Sequence, residues 1–238
     1  MTKRPEKTLP WSKLRGIIFD LDGTLINTID VYVKALNYGL ELFGVGKITQ
    51  EELCKYLDES ISLNDILKHI SPMFEDELKN EKCKEIVVKR YIELETNEVS
   101  LINGANLILK DIKEIGLKTA VLSGRTSTGE AKWRELKRLK IDHFVDIVIT
   151  AAESKRKPDP DGIFKCLAEL GLNRDEVIFV GDAKADVLAG KNAGVATVAV
   201  LSGVGKKDEL ARLEPDLILD SVLGLMPYLG CIKRSNPA

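Results

Sequence analysis

Two carboxylates, Asp20 and Asp22, stand one residue apart where the apolar run Arg15-Gly-Ile-Ile-Phe-Asp20 stops, and Gly23 and Thr24 follow them. A carboxylate can attack phosphorus and form an acyl-phosphate. A second carboxyl beside it can protonate the leaving oxygen and later deprotonate water. Crowding like charges raises one pKa, which suits that second role. The plainer alternative is a polar Asp-Gly turn.

Three other short motifs also follow or end apolar runs. Leu122-Ser123-Gly124-Arg125 offers a hydroxyl and an amide to phosphoryl oxygens, although Ser-Gly is also an ordinary loop signal. Lys155-Arg156-Lys157-Pro158-Asp159-Pro160 can set one ammonium beside the carboxylates, to balance charge on the nucleophile and on the transferring group. Its alternative is a solvated basic loop. The two prolines restrict where that ammonium can sit. Gly181-Asp182-Ala183-Lys184-Ala185-Asp186 carries carboxylates four apart, on one face of a helix start. That pair suits Mg²⁺, a hard cation that takes carboxylate oxygens, waters and phosphate. Its alternative is Asp182 as a helix N-cap.

These motifs need strands to carry them. Apolar runs without alternation occur at residues 15–20, 118–122, 145–149, 177–180, 196–200 and 216–219, as expected for a sheet covered on both faces. Helical spacing fills the gaps at 105–115, where Leu107, Ile108, Ile112 and Ile115 recur, and at 128–139, 162–170 and 183–193. The alternation predicts right-handed βαβ units and a parallel sheet, with ligands beyond the carboxyl ends of its strands. It breaks between about residues 28 and 100. There, four helical patterns (31–43, 51–56, 63–70 and 82–95) occur without a strand. The reading is an α/β fold: a Rossmann-like parallel-sheet core, residues 1–26 and 102–238, with an inserted all-helical cap, residues 27–101.

Lys+Arg is 35 against Asp+Glu 37, so no global basic field draws nucleic acid or anionic lipid. The four cysteines, Cys54, Cys83, Cys166 and Cys231, form no C-x-x-C pair, and only two histidines occur. This pattern indicates neither zinc nor a disulfide framework. Residues 1–13 are polar and basic without the apolar run of a signal peptide, and no membrane-length apolar segment is present. A cytoplasmic protein is expected, with a small phosphorylated metabolite as partner and neither nucleic acid nor membrane. Residues 233–238 are expected to fray.

The order I-F-D-L-D-G-T-L, then Ser123, then K-P-x-P, then G-D-x-x-x-D resembles the haloacid dehalogenase-like hydrolase superfamily over nearly the whole chain. The subgroup it is most similar to is phosphoglycolate phosphatase-like, with β-phosphoglucomutase close by. The resemblance implies Asp20 as nucleophile and Mg²⁺ ligand, and Asp22 as acid/base whose backbone carbonyl also binds metal. It implies Ser123 holding the phosphoryl group with Gly124, Lys157 neutralising it, and Asp182 ligating Mg²⁺. Asp186 is implied as a ligand or, more readily, as a partner holding a metal-bound water. Arg125, where the family varies, is a further candidate for substrate binding.

The function expected is a Mg²⁺-dependent phosphatase hydrolysing a small phosphomonoester, phosphoglycolate-like or a sugar phosphate, through an aspartyl-phosphate. A phosphomutase would need cap groups for a second phosphate. The loop of residues 58–64 is acidic and polar, although Lys55, Lys68 and His69 lie near it. A dehalogenase of this superfamily does not need Asp22. A catalytically silent binding module is the remaining alternative. The cap is expected to close as a lid, hinged at residues 26–28 and 101–104, with Glu59, Ser60, Ser62 and Asn64 choosing the substrate.

Overall fold

The computed structural model describes residues 9–230. Cys231, the fraying expected of residues 233–238 and most of the polar segment 1–13 lie outside them. Among the described residues, six parallel strands form one sheet. They are β1 (Gly16–Phe19), β4 (Lys118–Ser123), β5 (Ile147–Thr150), β6 (Val177–Gly181), β7 (Ala196–Val200) and β8 (Leu217–Leu219), ordered β5-β4-β1-β6-β7-β8. All six expected strands are present, within two residues of their expected ends. From β1 the chain builds outward through β4 and β5, then returns to place β6 on the other side of β1. The crevice where the direction of winding changes therefore opens beside β1, the usual ligand position in such sheets.

Successive side chains of a strand point to opposite faces. Ile17 and Phe19 enter one apolar cluster with Ile108, Ile112 and Leu136, while Ile18 enters another with Ile163, Cys166 and Phe179. The helices on the two faces are α5 (Ala105–Glu114) and α6 (Gly129–Arg138) against α7 (Asp161–Leu170) and α8 (Lys184–Ala193). Burial on both faces explains why the strands read as unbroken apolar runs rather than as alternating ones. Within α5 the expected apolar face is corrected at one position. Leu107 is exposed, and Leu109 joins Ile108 and Ile112 in the core.

Between β1 and β4 lie α1 (Ile29–Leu42), α2 (Gln50–Asp58), α3 (Leu63–Ile70) and α4 (Glu77–Glu98). They enclose their own apolar cluster, built on Leu36, Leu40, Leu53, Ile66 and Phe74. Thr49 and Glu52 form a capping box at α2, and the Asp76 side chain accepts from Lys79 N at the start of α4. The two connections to the sheet pair with each other. β2 (Ile26–Asn27) lies antiparallel to β3 (Ser100–Leu101), with Ile26 opposite Leu101 and Asn27 opposite Ser100. Cys83 and Cys166 are buried free thiols, and Cys54 is half-buried. No helix among the described residues is long and apolar enough to cross a membrane.

Candidate active site

Asp20 is the first residue past β1, and its amide donates to Val180 O at 2.8 Å, which fixes it beside the end of β6. Asp182 is the first residue past β6, Ser123 is the last of β4, and Lys157 comes from the loop after β5. Asp20, Asp182, Asp186 and Lys157 are all buried, and they meet at one point. Oxygens of the three carboxylates lie within 4.8 Å of one another. The Lys157 ammonium donates to Asp20 Oδ1 and pairs with Asp186 Oδ1 at 2.5 Å.

Three buried carboxylates around one ammonium leave an excess of negative charge. Burial, with the Asp186 and Asp182 charges beside it, raises the Asp20 pKa well above the carboxylate range against the pull of Lys157. Burial and Asp186 push Asp182 up to about 7. Burial alone would favour neutral Lys157, but Asp186 and Asp20 outweigh it and hold the ammonium charged. An all-oxygen set with surplus negative charge fits a hard divalent cation such as Mg²⁺. Each of the three already has protein partners: Asp20 meets Lys157, and Asp182 accepts from Thr24 and Val204. Asp186 already accepts from Ala183 N through Oδ2 at 2.9 Å and meets Lys157 through Oδ1.

Asp182 does not cap α8; Ala183 occupies that position. Its carboxylate instead accepts from Thr24 Oγ1 at 2.8 Å and from Val204 N at 2.8 Å. The loop carrying Val204 must pass very close, and a Cβ on Gly203 would collide with the Asp182 carboxylate. A Cβ on Gly23 would crowd the same carboxylate, and Gly23 sits at φ +84°, a backbone region that favours glycine.

Asp22 points elsewhere. Its carboxylate lies in the fork of Arg125, with Nε at 2.9 Å and Nη2 on the other oxygen, and it also accepts from Thr28 Oγ1 at 2.9 Å. Burial works to raise its pKa, but Arg125 and then Lys132 overcome that and hold it below its ordinary value. Arg125 also donates to Tyr91 Oη of α4 at 2.7 Å and pairs with buried Glu135 at 3.6 Å. Its fork is thus occupied by protein groups rather than open to a substrate. Ser123 Oγ accepts from Arg125 N at 3.3 Å, behind Gly124.

The sequence motifs supplied the four groups of the cluster and, as separate residues, Asp22 and Arg125, but not their pairing. They gave no role to Thr24, which lies inside the first motif, or to Val204, Tyr91, Lys132 and Glu135. Among the expected lid residues, Ser60 reaches the site, its Oγ lying 3.8 Å from where a Gly124 Cβ would be. Ser62 caps α3 by accepting from Asp65 N, and Asn64 donates to Glu81 at 2.8 Å, so both are engaged within the helical insert. Lys68 and His69 are exposed.

A parallel α/β sheet with three buried carboxylates and a paired lysine gathered at its strand ends is the arrangement of a Rossmann-like hydrolase. The family model described as haloacid dehalogenase-like hydrolase matches residues 17–200, and the chain belongs to that family. It is 28% identical over 226 residues to a pyrophosphatase PpaX of Halalkalibacterium halodurans, covering 93% of this chain and all of that protein. It is 31% identical over 228 residues to the pyrophosphatase PpaX of Anoxybacillus flavithermus, covering 93% and 99%. Its fold matches a crystal structure titled a predicted phosphoglycolate phosphatase, from Haemophilus somnus. The TM-score is 0.78 at 23% identity, covering 91% of this chain and 98% of the other.

Proposed function

We propose that the protein is a Mg²⁺-dependent phosphatase that hydrolyses a small phosphomonoester through an aspartyl-phosphate on Asp20. The observation that carries this reading is the convergence of Asp20, Asp182, Asp186 and Lys157 at the end of β1. Mg²⁺, held by Asp20, Asp182 and the backbone carbonyl of Asp22, would supply the positive charge that lets a phosphate dianion approach these carboxylates. Asp186 would act from behind, through Lys157.

Asp20 attacks phosphorus, forming the new P–O bond as the bond to the ester oxygen breaks. The departing oxygen takes a proton from Asp22. Water then attacks the aspartyl-phosphate, gives its proton to Asp22, and inorganic phosphate leaves. Asp22 can deliver a proton only after it leaves the Arg125 fork, because inside that fork it is ionised. Ser123 Oγ and the Gly124 amide are the donors for the phosphoryl oxygens, and Lys157 balances charge as it transfers. The helical insert, residues 27–101, acts as a cap over this site, and the core comprises residues 1–26 and 102–238. The three cysteines among the described residues are free thiols, which accords with a reducing cytoplasm.

The test is Asp20→Asn, which keeps the shape and removes the nucleophile. No phosphate release should occur with Mg²⁺, while the circular dichroism spectrum stays unchanged. Near wild-type turnover would sink the assignment. A second reading is favoured by the two relatives named pyrophosphatase: the leaving group is itself phosphate, and inorganic pyrophosphate is the substrate. Comparing kcat/KM for pyrophosphate, 2-phosphoglycolate and glucose phosphates decides between them.

A further inference from the structure

The carboxylate of Asp58, the last residue of α2, is buried against the sheet-bearing half of the molecule. Its Oδ1 accepts from the backbone N of Lys184, the first residue of α8, at 2.7 Å. Its Oδ2 pairs with the Lys184 ammonium at 3.1 Å. The same ammonium holds Glu59 Oε1 at 2.7 Å and Glu209 Oε2 of α9 (Lys207–Arg212) at 3.1 Å. An anion at a helix N-terminus meets unpaired amides and the positive end of the helix dipole. One side chain thus uses both the helix end and the lysine. Lys184 lies two residues from Asp182, and Ser60, next after Glu59, is the residue that overhangs Gly124. Ser60 is held at φ +55°, which a non-glycine residue adopts only under constraint.

From this geometry we infer that Asp58 and Lys184 are positioning residues for substrate recognition: their pairing docks the loop of residues 59–62 over the phosphate-binding turn. The inference rests on the phosphatase reading of the same site. Neither residue touches the reacting atoms. The pair fixes where Ser60 stands relative to Ser123 and Gly124, so it governs how well a small substrate is enclosed. Glu59 and Glu209 keep the lysine engaged when either partner moves.

The test compares wild type with Asp58→Asn, Lys184→Met and the double variant. The asparagine of the first variant retains an acceptor for the helix amide but loses the ion pair, and the methionine of the second retains the aliphatic stem. Each single variant should lose about tenfold in kcat/KM for 2-phosphoglycolate, within the range of direct coupling energies. The loss should fall mainly on KM and should be smaller for p-nitrophenyl phosphate, whose ring does not need the loop. The double variant should fall no further than the worse single, and the amides of residues 58–62 should exchange faster in all three. Losses that multiply, or exchange that does not change, would overturn the inference. A wild type that cleaves none of these phosphoesters with Mg²⁺ removes the phosphatase reading instead, and amide exchange then judges the docking by itself.

Discussion

Asp182 holds its proton far above the ordinary range, and stability should register this without any substrate. The folded form keeps the proton, on a pKa of about 7, while the unfolded carboxyl loses it near 3.8. The folded state therefore binds more protons between those values, and its stability falls as pH rises through them, by at most about 1.4 kcal/mol per pH unit. In EDTA, the Tm of Asp182→Asn relative to wild type should climb between pH 4 and pH 8. Saturating Mg²⁺ should cancel the climb, and a constant difference would refute it. At Lys157 the expectation concerns rate. Lys155 is exposed and pairs weakly with Asp159 at 3.6 Å, whereas Lys157 is buried between Asp20 and Asp186. Lys157→Ala should lower kcat by about 10²–10³ and Lys155→Ala should leave it unchanged, in steady-state assays. Equal effects would return the segment to a solvated loop. The sequence made these groups legible because each motif keeps its chemistry within a few residues. It concealed their partners, since Thr24 and Asp182 are 158 positions apart and Asp22 and Arg125 are 103 apart.

The strands were readable because both of their faces are buried, which leaves little but apolar residues between one turn and the next. The ends of the helices were less so. α4 starts at Glu77, five residues before the apolar spacing suggests, because Asp76 caps it and its first three residues, Glu77, Leu78 and Lys79, are exposed. β2 and β3 escaped notice because two residues carry no periodicity. Their pairing joins both connections to the helical insert in one antiparallel ribbon, with Asn27 opposite Ser100. The loop after β7 has a similar hidden role. Its glycines look like turn punctuation, yet Gly203 lies against Asp182 while Val204 N donates to it. Gly203→Ala must shift one of them. It should weaken Mg²⁺ half-saturation or activity by about 10–100-fold, the usual cost of disturbing the support of a metal ligand. Gly46→Ala, with open space around it, should behave as wild type in the same titration. Equal Mg²⁺ responses in the two variants would remove the role of the loop.

The helical insert has an apolar cluster of its own, and Tyr91 packs against both that cluster and the sheet. Val31, Leu94 and Val99 of the insert also join the apolar cluster of the sheet, and polar ties run beside them. Tyr91 Oη accepts from Arg125, Arg138 donates to Thr96 O at 3.2 Å, Lys184 clasps Asp58 and Glu59, and Lys206 faces Glu51 at 3.6 Å. The exposed Lys206–Glu51 pair weakens with salt, whereas the contacts of Asp58 and of Arg125 with Tyr91 are fully or partly buried and are screened less. With the insert read as a cap, Ser60 stands over Gly124, its Oγ 3.8 Å from where a Cβ would be. A site that works only when covered shuts out water and bulky partners alike. Small phosphomonoesters should therefore be hydrolysed, while a folded phosphoprotein should release no more phosphate than it does with Asp20→Asn. Ser60→Gly should ease the strained φ +55° and leave this exclusion in place, since the backbone of the loop still covers the turn. Ser60→Trp should fill the remaining space and raise KM for the larger of two sugar phosphates more than for the smaller. Phosphate release assays on matched substrates settle the matter. If a phosphoprotein reacts as fast as a metabolite, or if Ser60→Trp slows both sugars equally, the insert does not set the size of what enters.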